Sequence, residues 1–206
     1  MKTMLRKNAK LALVLGLLSL PAAAQSTSGK APATPFGLDR FDVAANFSYK
    51  VAKISQTTNH FVLPGGSADA AYNFGGKARG LGLAADVNGE SKSAIEPSVG
   101  LTQFSIAGGP RYSFCLACKN PHSTWFYGQV MGGEVFAFNS LFPAPGAAKT
   151  SASSWIFQVG GGANVKLTPL ISLRLAEADF LVTELPNAAD NKQYDVRIEN
   201  GIVFRF

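Results

Sequence analysis

Hydrophobicity in this chain repeats every second residue, over stretches too long for an ordinary sheet. In RFDVAANFSYKV the set Phe41, Val43, Ala45, Phe47, Tyr49 and Val51 alternates with Asp42, Ala44, Asn46, Ser48 and Lys50. In LTQFSIAGGPRYSF, Phe104, Ile106, Pro110, Tyr112 and Phe114 alternate with Gln103, Ser105, Ala107 and Arg111. In SWIFQVGGGANVK, Trp155, Phe157, Val159 and Val165 alternate with Gln158, Asn164 and Lys166. The last stretch sets Ile198, Ile202, Phe204 and Phe206 against Arg197, Glu199, Gly201 and Arg205. A period of two places successive side chains on opposite faces of a strand. Soluble strands average about five or six residues, whereas a strand crossing a bilayer needs ~9–11.

Eight such segments are predicted, near residues 41–51, 68–74, 79–87, 101–114, 124–138, 153–166, 170–183 and 194–206. Their connectors alternate between short (GGKA, LTP) and long (52–67, 88–100, 139–152, 184–193), apart from CLACKNPHS, which is long for a turn on the short side. Hydrophobic residues make up 47% of the chain and charged residues 16%, with 21 Gly and 15 Phe, which suits strands more than helices. The expected fold is therefore all-β: an eight-stranded antiparallel up-and-down transmembrane β-barrel. In such a barrel the apolar face meets lipid and the polar face lines the lumen. That rule assigns Asp42, Lys50, Asp86, Arg111, Glu134, Arg174, Glu177, Asp179, Arg197 and Glu199 to a lumen charge network. Gln129 and Glu134 differ in parity, as do Arg174 and Glu177, so a β-bulge is expected between the members of each pair. The competing reading is a soluble lipocalin-like barrel with its faces reversed. The low charge content argues against it.

The N-terminus carries Lys2, Arg6, Lys7 and Lys10, then the apolar run Leu11–Leu20, then PAAAQ. This is the pattern of a secretory signal peptide cleaved after Ala24; the apolar run is short for a membrane anchor. Residues 1–24 are read as the signal, 25–39 as a flexible lead-in and 40–206 as the barrel. The full chain has 19 Lys+Arg against 13 Asp+Glu, a formal charge of +6, and four of those cations sit in the signal. The mature chain is close to neutral, which removes any electrostatic case for nucleic acid.

The segments GGGANVKLTP, RLAEADFLVT and VRIENGIVFRF, together with the signal and the alternation, make the chain resemble the outer-membrane β-barrel domain of the OmpA/OmpX type, the small eight-stranded barrels. The resemblance spans about residues 40–206. It implies residence in the bacterial outer membrane, contact with outer-membrane lipid, and passage through periplasmic chaperones and the β-barrel assembly machinery, most simply as a monomer. It also implies that Glu199, Gly201, Phe204 and Phe206 form the assembly signal that the machinery reads in a last strand. With Phe206 as the last residue, no peptidoglycan-binding domain and no cell-wall tether are expected.

No catalytic, metal or cofactor set is expected. Cys115 and Cys118 lie in CLAC, and the favoured reading is a local disulfide in an oxidising compartment. A redox centre, or a metal site completed by His122, are the alternatives; two cysteines and one histidine fall short of a tetrahedral zinc set. His60 and His122 are predicted on opposite sides of the membrane, and neither is matched with a serine and an acid on a strand. The GG and GGG runs lack the lysine and helix of a phosphate loop. The expected function is a non-enzymatic envelope-structural or surface-interaction protein, its lumen plugged by charged residues, with an extracellular loop partner that the sequence does not name. The alternatives are a narrow porin-like channel and, behind it, an outer-leaflet lipid-modifying enzyme. Deleting Phe206 is expected to lower the yield recovered from outer membranes while leaving refolding into detergent intact. A normal yield in cells would contradict the assembly role.

Overall fold

The computed structural model describes residues 40–53, 60–74, 80–96, 99–115, 123–144, 148–187 and 191–206. The signal, the lead-in, Cys118 and His122 lie outside these residues. Eight strands follow one another: β1 (Phe41–Lys53), β2 (His60–Asn73), β3 (Leu81–Glu96), β4 (Val99–Cys115), β5 (Thr124–Phe142), β6 (Lys149–Lys166), β7 (Ile171–Thr183) and β8 (Gln193–Arg205). Each pairs antiparallel with the next, and β8 returns to β1, so the sheet closes into a barrel.

The closing seam runs from Asp42↔Arg205 to Val51↔Val196. Below it the backbones of Phe41 and Phe206 exchange hydrogen bonds of 3.1 and 2.8 Å. Following the pairing from Phe41 through Tyr72, Leu83, Pro110, Val130, Val159, Phe180 and Val196 returns to Val51, ten residues further along β1. That stagger tilts the strands and carries inward side chains from distant strands to one level.

The strands outrun their predicted ends, mainly at the end of the barrel away from the start of β1 and the end of β8. Residues 60–67, 88–96 and 149–152 were expected as loop and are strand. SKS at 91–93 and KTSAS at 149–153 are polar on both faces, and HFVLPGGS at 60–67 carries the Pro-Gly-Gly of a loop. Hydrophobic alternation reports only the part of a strand that touches lipid, so it stops at the membrane boundary while the ladder continues.

Of the two expected bulges, one forms. On β7 the register slips by one residue against both neighbours between Arg174 and Glu177, so both side chains point inward although their parity differs. On β5 no bulge forms between Gln129 and Glu134. The pairing with β6 runs unbroken through Gly132 and Gly133, which keeps odd-numbered residues inward. Glu134 is consequently exposed on the outer wall, contrary to its expected place in the lumen. It lies between Ile106 of β4 and Trp155 of β6. Register set the face there, and a single charge was a poor marker of it.

The outer wall carries aromatic residues towards both ends. Tyr72, Tyr112, Phe114 and Phe204 are exposed near the end where β1 starts and β8 finishes; Phe47, Tyr49, Trp155, Phe180 and Tyr194 are exposed higher up. Neighbouring rings pack together, as in Phe114 on Phe126 at 5.7 Å and Phe180 on Tyr194 at 6.1 Å. Such paired girdles mark the two interfaces of a membrane barrel.

Candidate functional site

The interior is the chemically distinctive part of the molecule. Nine of the ten expected lumen residues are buried there: Asp42, Lys50, Asp86, Arg111, Arg174, Glu177, Asp179, Arg197 and Glu199. They are joined by Asp69, Glu90 and Asp195, which the sequence reading did not assign, and by Arg205, which it set on the polar face of the last strand without counting it in the network.

The tier nearer the end where β1 starts and β8 finishes is built on Asp69 of β2. Its carboxylate accepts Arg111 Nη2 at 3.1 Å and takes Arg174 Nη1 and Nη2 at 2.5 and 3.1 Å. Arg174 Nη1 also meets Glu177 at 2.6 Å across the bulge. The bulge is what lets one strand supply both a cation and its counter-ion three residues apart. Tyr127 donates to Glu177 at 2.6 Å, and its ring lies 4.5 Å from the Arg111 guanidinium and 5.3 Å from that of Arg174. Gln129 bridges the same groups, accepting from Arg111 at 2.9 Å and donating to Glu177 at 2.5 Å.

The next tier centres on Arg197 of β8. It pairs with Glu199 at 2.9 Å, Asp179 at 3.1 Å and Asp86 at 3.4 Å, and donates to Gln158 at 3.3 Å. Glu199 is held in turn by Ser67 at 2.8 Å and Asn88 at 2.6 Å. Asp179 fits because residue 160 is glycine: a Cβ there would stand 2.2 Å from its Oδ1. Towards the opposite end of the barrel, Lys50 pairs with Glu90 at 3.0 Å and Asp195 at 4.0 Å and donates to Gln103.

Beside this upper tier, the wall from β4 to β7 turns apolar inside. Val135, Ala137, Phe142, Ile156, Leu181 and Leu185 are buried and form one cluster with Ala107 and Met131. The lumen is therefore part ionic and part hydrophobic, where the sequence reading expected only charges.

The missed residues have two causes. In GGSADAAYN both faces carry Ala or Gly, so alternation is faint; only Tyr72, exposed outside, fixes the parity that turns Asp69 and Asn73 inward. Glu90 and Asp195 lie on stretches taken for loop or strand edge. At the other candidate sites, His60 is exposed at the start of β2. Cys115 ends β4 and is disulfide-bonded, and no free cysteine occurs among the described residues. Among the described residues no group of three or more His, Cys, Asp or Glu is arranged to hold a metal.

With this geometry in hand, solved structures of like fold can be placed beside it. The Neisserial surface protein A superposes with a TM-score of 0.59 at 18% identity, covering 81% of this chain and 97% of that one. The attachment invasion locus protein Ail of Yersinia pestis, crystallised with the heparin analogue sucrose octasulfate, gives 0.54 at 16% identity, covering 82% and 99%. Neither protein-family models nor curated proteins give a match. The fold is that of the small eight-stranded outer-membrane barrels.

Replacing Asp69 by alanine leaves two buried guanidiniums short of a counter-ion. It is expected to cost about 3–5 kcal/mol of barrel stability, read as a lowered urea midpoint in detergent. Glu134→Gln, on the outer wall, is expected to change stability by no more than about 0.5 kcal/mol. Equal effects from the two substitutions would contradict the assignment of faces.

Proposed function

We propose that the protein is a non-enzymatic integral protein of the bacterial outer membrane, with an envelope-structural or surface-interaction role and a lumen closed to free ion flow. The observation that carries this reading is the set of arginines, Arg111, Arg174 and Arg197, each no more than 3% exposed and each paired across the lumen with acids from other strands. An eight-stranded barrel has an interior just wide enough for side chains to fill. Ion pairs that join opposite walls occupy the space a permeating ion would use, and a desolvated ion is costly there. The apolar cluster of Val135, Ala137, Ile156 and Leu181 narrows the outer part further.

The surface role is supported by strands that project beyond the upper aromatic girdle, β5 being 19 residues long and β6 18 against 13 for β1. Exposed polar residues at the ends of the long strands, among them Ser91, Ser93, Ser151 and Ser153, present a hydrogen-bonding surface on the extracellular side. The outer-membrane origin of barrels with this fold supports the location, and assembly through chaperones and the insertion machinery follows from it. Planar-bilayer recording of purified protein is expected to give rare, small openings, more frequent in Arg197→Ala. A large steady conductance in the unmodified protein would overturn the closed-lumen reading and favour the narrow channel.

A further inference from the structure

On the outer wall one polar side chain stands where lipid is expected. The outward positions of β8 from Tyr194 to Phe204 are aromatic or aliphatic, except Asn200. Asn200 is exposed between the two aromatic girdles, with Ile198 and Ile202 as its outward neighbours along the strand. Its side-chain amide makes no hydrogen bond among the described residues. On one side its partner in the ladder is Phe47 of β1, at 69% the most exposed large apolar residue of the described wall. On the other side β7 presents Ala176 and Ala178, both exposed. Beyond them Gly161 of β6 stands in register with Ala178, and Gly128 of β5 with Gly161. A ridge and a shallow recess flank a lone amide. We infer that this β7–β8–β1 face is the interface of a two-fold dimer of the chain within the membrane, centred on Asn200, where the resemblance implies a monomer.

The dimer rests on the outer wall meeting lipid and not on the closed lumen. A bare amide in hydrocarbon is costly, because no water is present to satisfy it. Each Asn offers two N–H donors and a carbonyl acceptor, so two of them exchange a reciprocal pair of N–H···O bonds. Polar side chains join transmembrane segments in this way, and small residues let the backbones approach. Lipid chains fill the recess but bring no group for Asn200, and a different membrane protein would need a polar group of its own at this depth; a second copy carries one. The rest of the face is self-complementary. Two copies inserted in the same direction are related by an axis along the membrane normal, and a two-fold interface sets one patch against itself. With Asn200 on the axis, β1 of one copy lies opposite β7 of the other. The row Ala178, Ile198, Tyr49 climbs the barrel with the strand tilt. Phe47 is one outward position below Tyr49, so it stands close to the height of Ala178 across Asn200. Each Phe47 ring seats in the recess at Ala176 and Ala178 of the other copy. The barrel's own packing does not demand so bare a surface, since a Cβ at Gly128 would meet nothing nearer than 3.8 Å.

Förster transfer between donor- and acceptor-labelled barrels in phosphatidylcholine vesicles, each labelled through Ser151→Cys, tests this as the protein-to-lipid ratio falls. A monomer–dimer equilibrium is expected, with transfer above that of randomly placed barrels. Asn200→Leu is expected to weaken association about tenfold. It should not lower the urea midpoint of the dilute, monomeric barrel, because it sets an apolar side chain against lipid. Ala178→Phe leaves the amide in place and fills the recess; it is expected to weaken association at least as much, and it stands in if Asn200→Leu does not refold. Transfer at the random level would leave the face to lipid or to another membrane protein and would overturn the inference. Association unchanged by either substitution, or a lowered midpoint in Asn200→Leu, which would assign the amide to the barrel's own packing, would overturn it too.

Discussion

Closure of β8 on β1 is the constraint on which everything else in this molecule depends. In hydrocarbon a backbone N–H or C=O without a partner costs several kcal/mol, so a sheet in a membrane cannot keep an edge. The ladder from Asp42↔Arg205 to Val51↔Val196 removes that edge. Once the sheet is closed, alternation sorts side chains into an outer set that meets lipid and an inner set that meets only itself. The ten-residue stagger then decides which inner residues meet. Asp69 and Arg174 are 105 positions apart in sequence and lie at 2.5 Å.

The inner set behaves as a solvent of its own making. Acids outnumber cations there by eight to five, counting the buried Asp42, Asp69, Asp86, Glu90, Glu177, Asp179, Asp195 and Glu199 against Lys50, Arg111, Arg174, Arg197 and Arg205. Amides and hydroxyls from Asn46, Asn88, Gln129, Ser67 and Tyr127 share the load by donating to the carboxylates. A network of this kind fixes one arrangement of the eight strands, because a slip of one residue would expose its charges to lipid. The bulge at Arg174–Glu177 is part of the same design: it brings a cation and an acid of one strand to the same face.

Much of this is legible in the amino-acid sequence. The four clearest alternating stretches identified β1, β4, β6 and β8, and their phase placed Lys50, Arg111, Gln158 and Arg197 inward, where they are found. The phase failed where the chain carries little contrast. Small residues on both faces of β2 hid Asp69, the acid that holds two arginines. On β5, Gly132 and Gly133 blurred the parity, and a bulge was invoked to bring Glu134 inside, whereas an unbroken register leaves it outside beside Trp155. The apolar patch inside the outer mouth was illegible for a different reason: Val135, Ile156 and Leu181 are hydrophobic residues on inward positions, and composition cannot tell them from lipid-facing ones.

The account rests on β1 and β8 being interior strands of a continuous ladder, and amide hydrogen exchange tests that most directly. In micelles, the N–H groups of Val43–Tyr49 and Ile198–Phe204 are expected to exchange as slowly as those at the centre of the β4–β5 pair. Fast exchange confined to β1 and β8, with protection elsewhere, would mean an open sheet and would contradict the closed barrel from which the lumen and its ion pairs are derived.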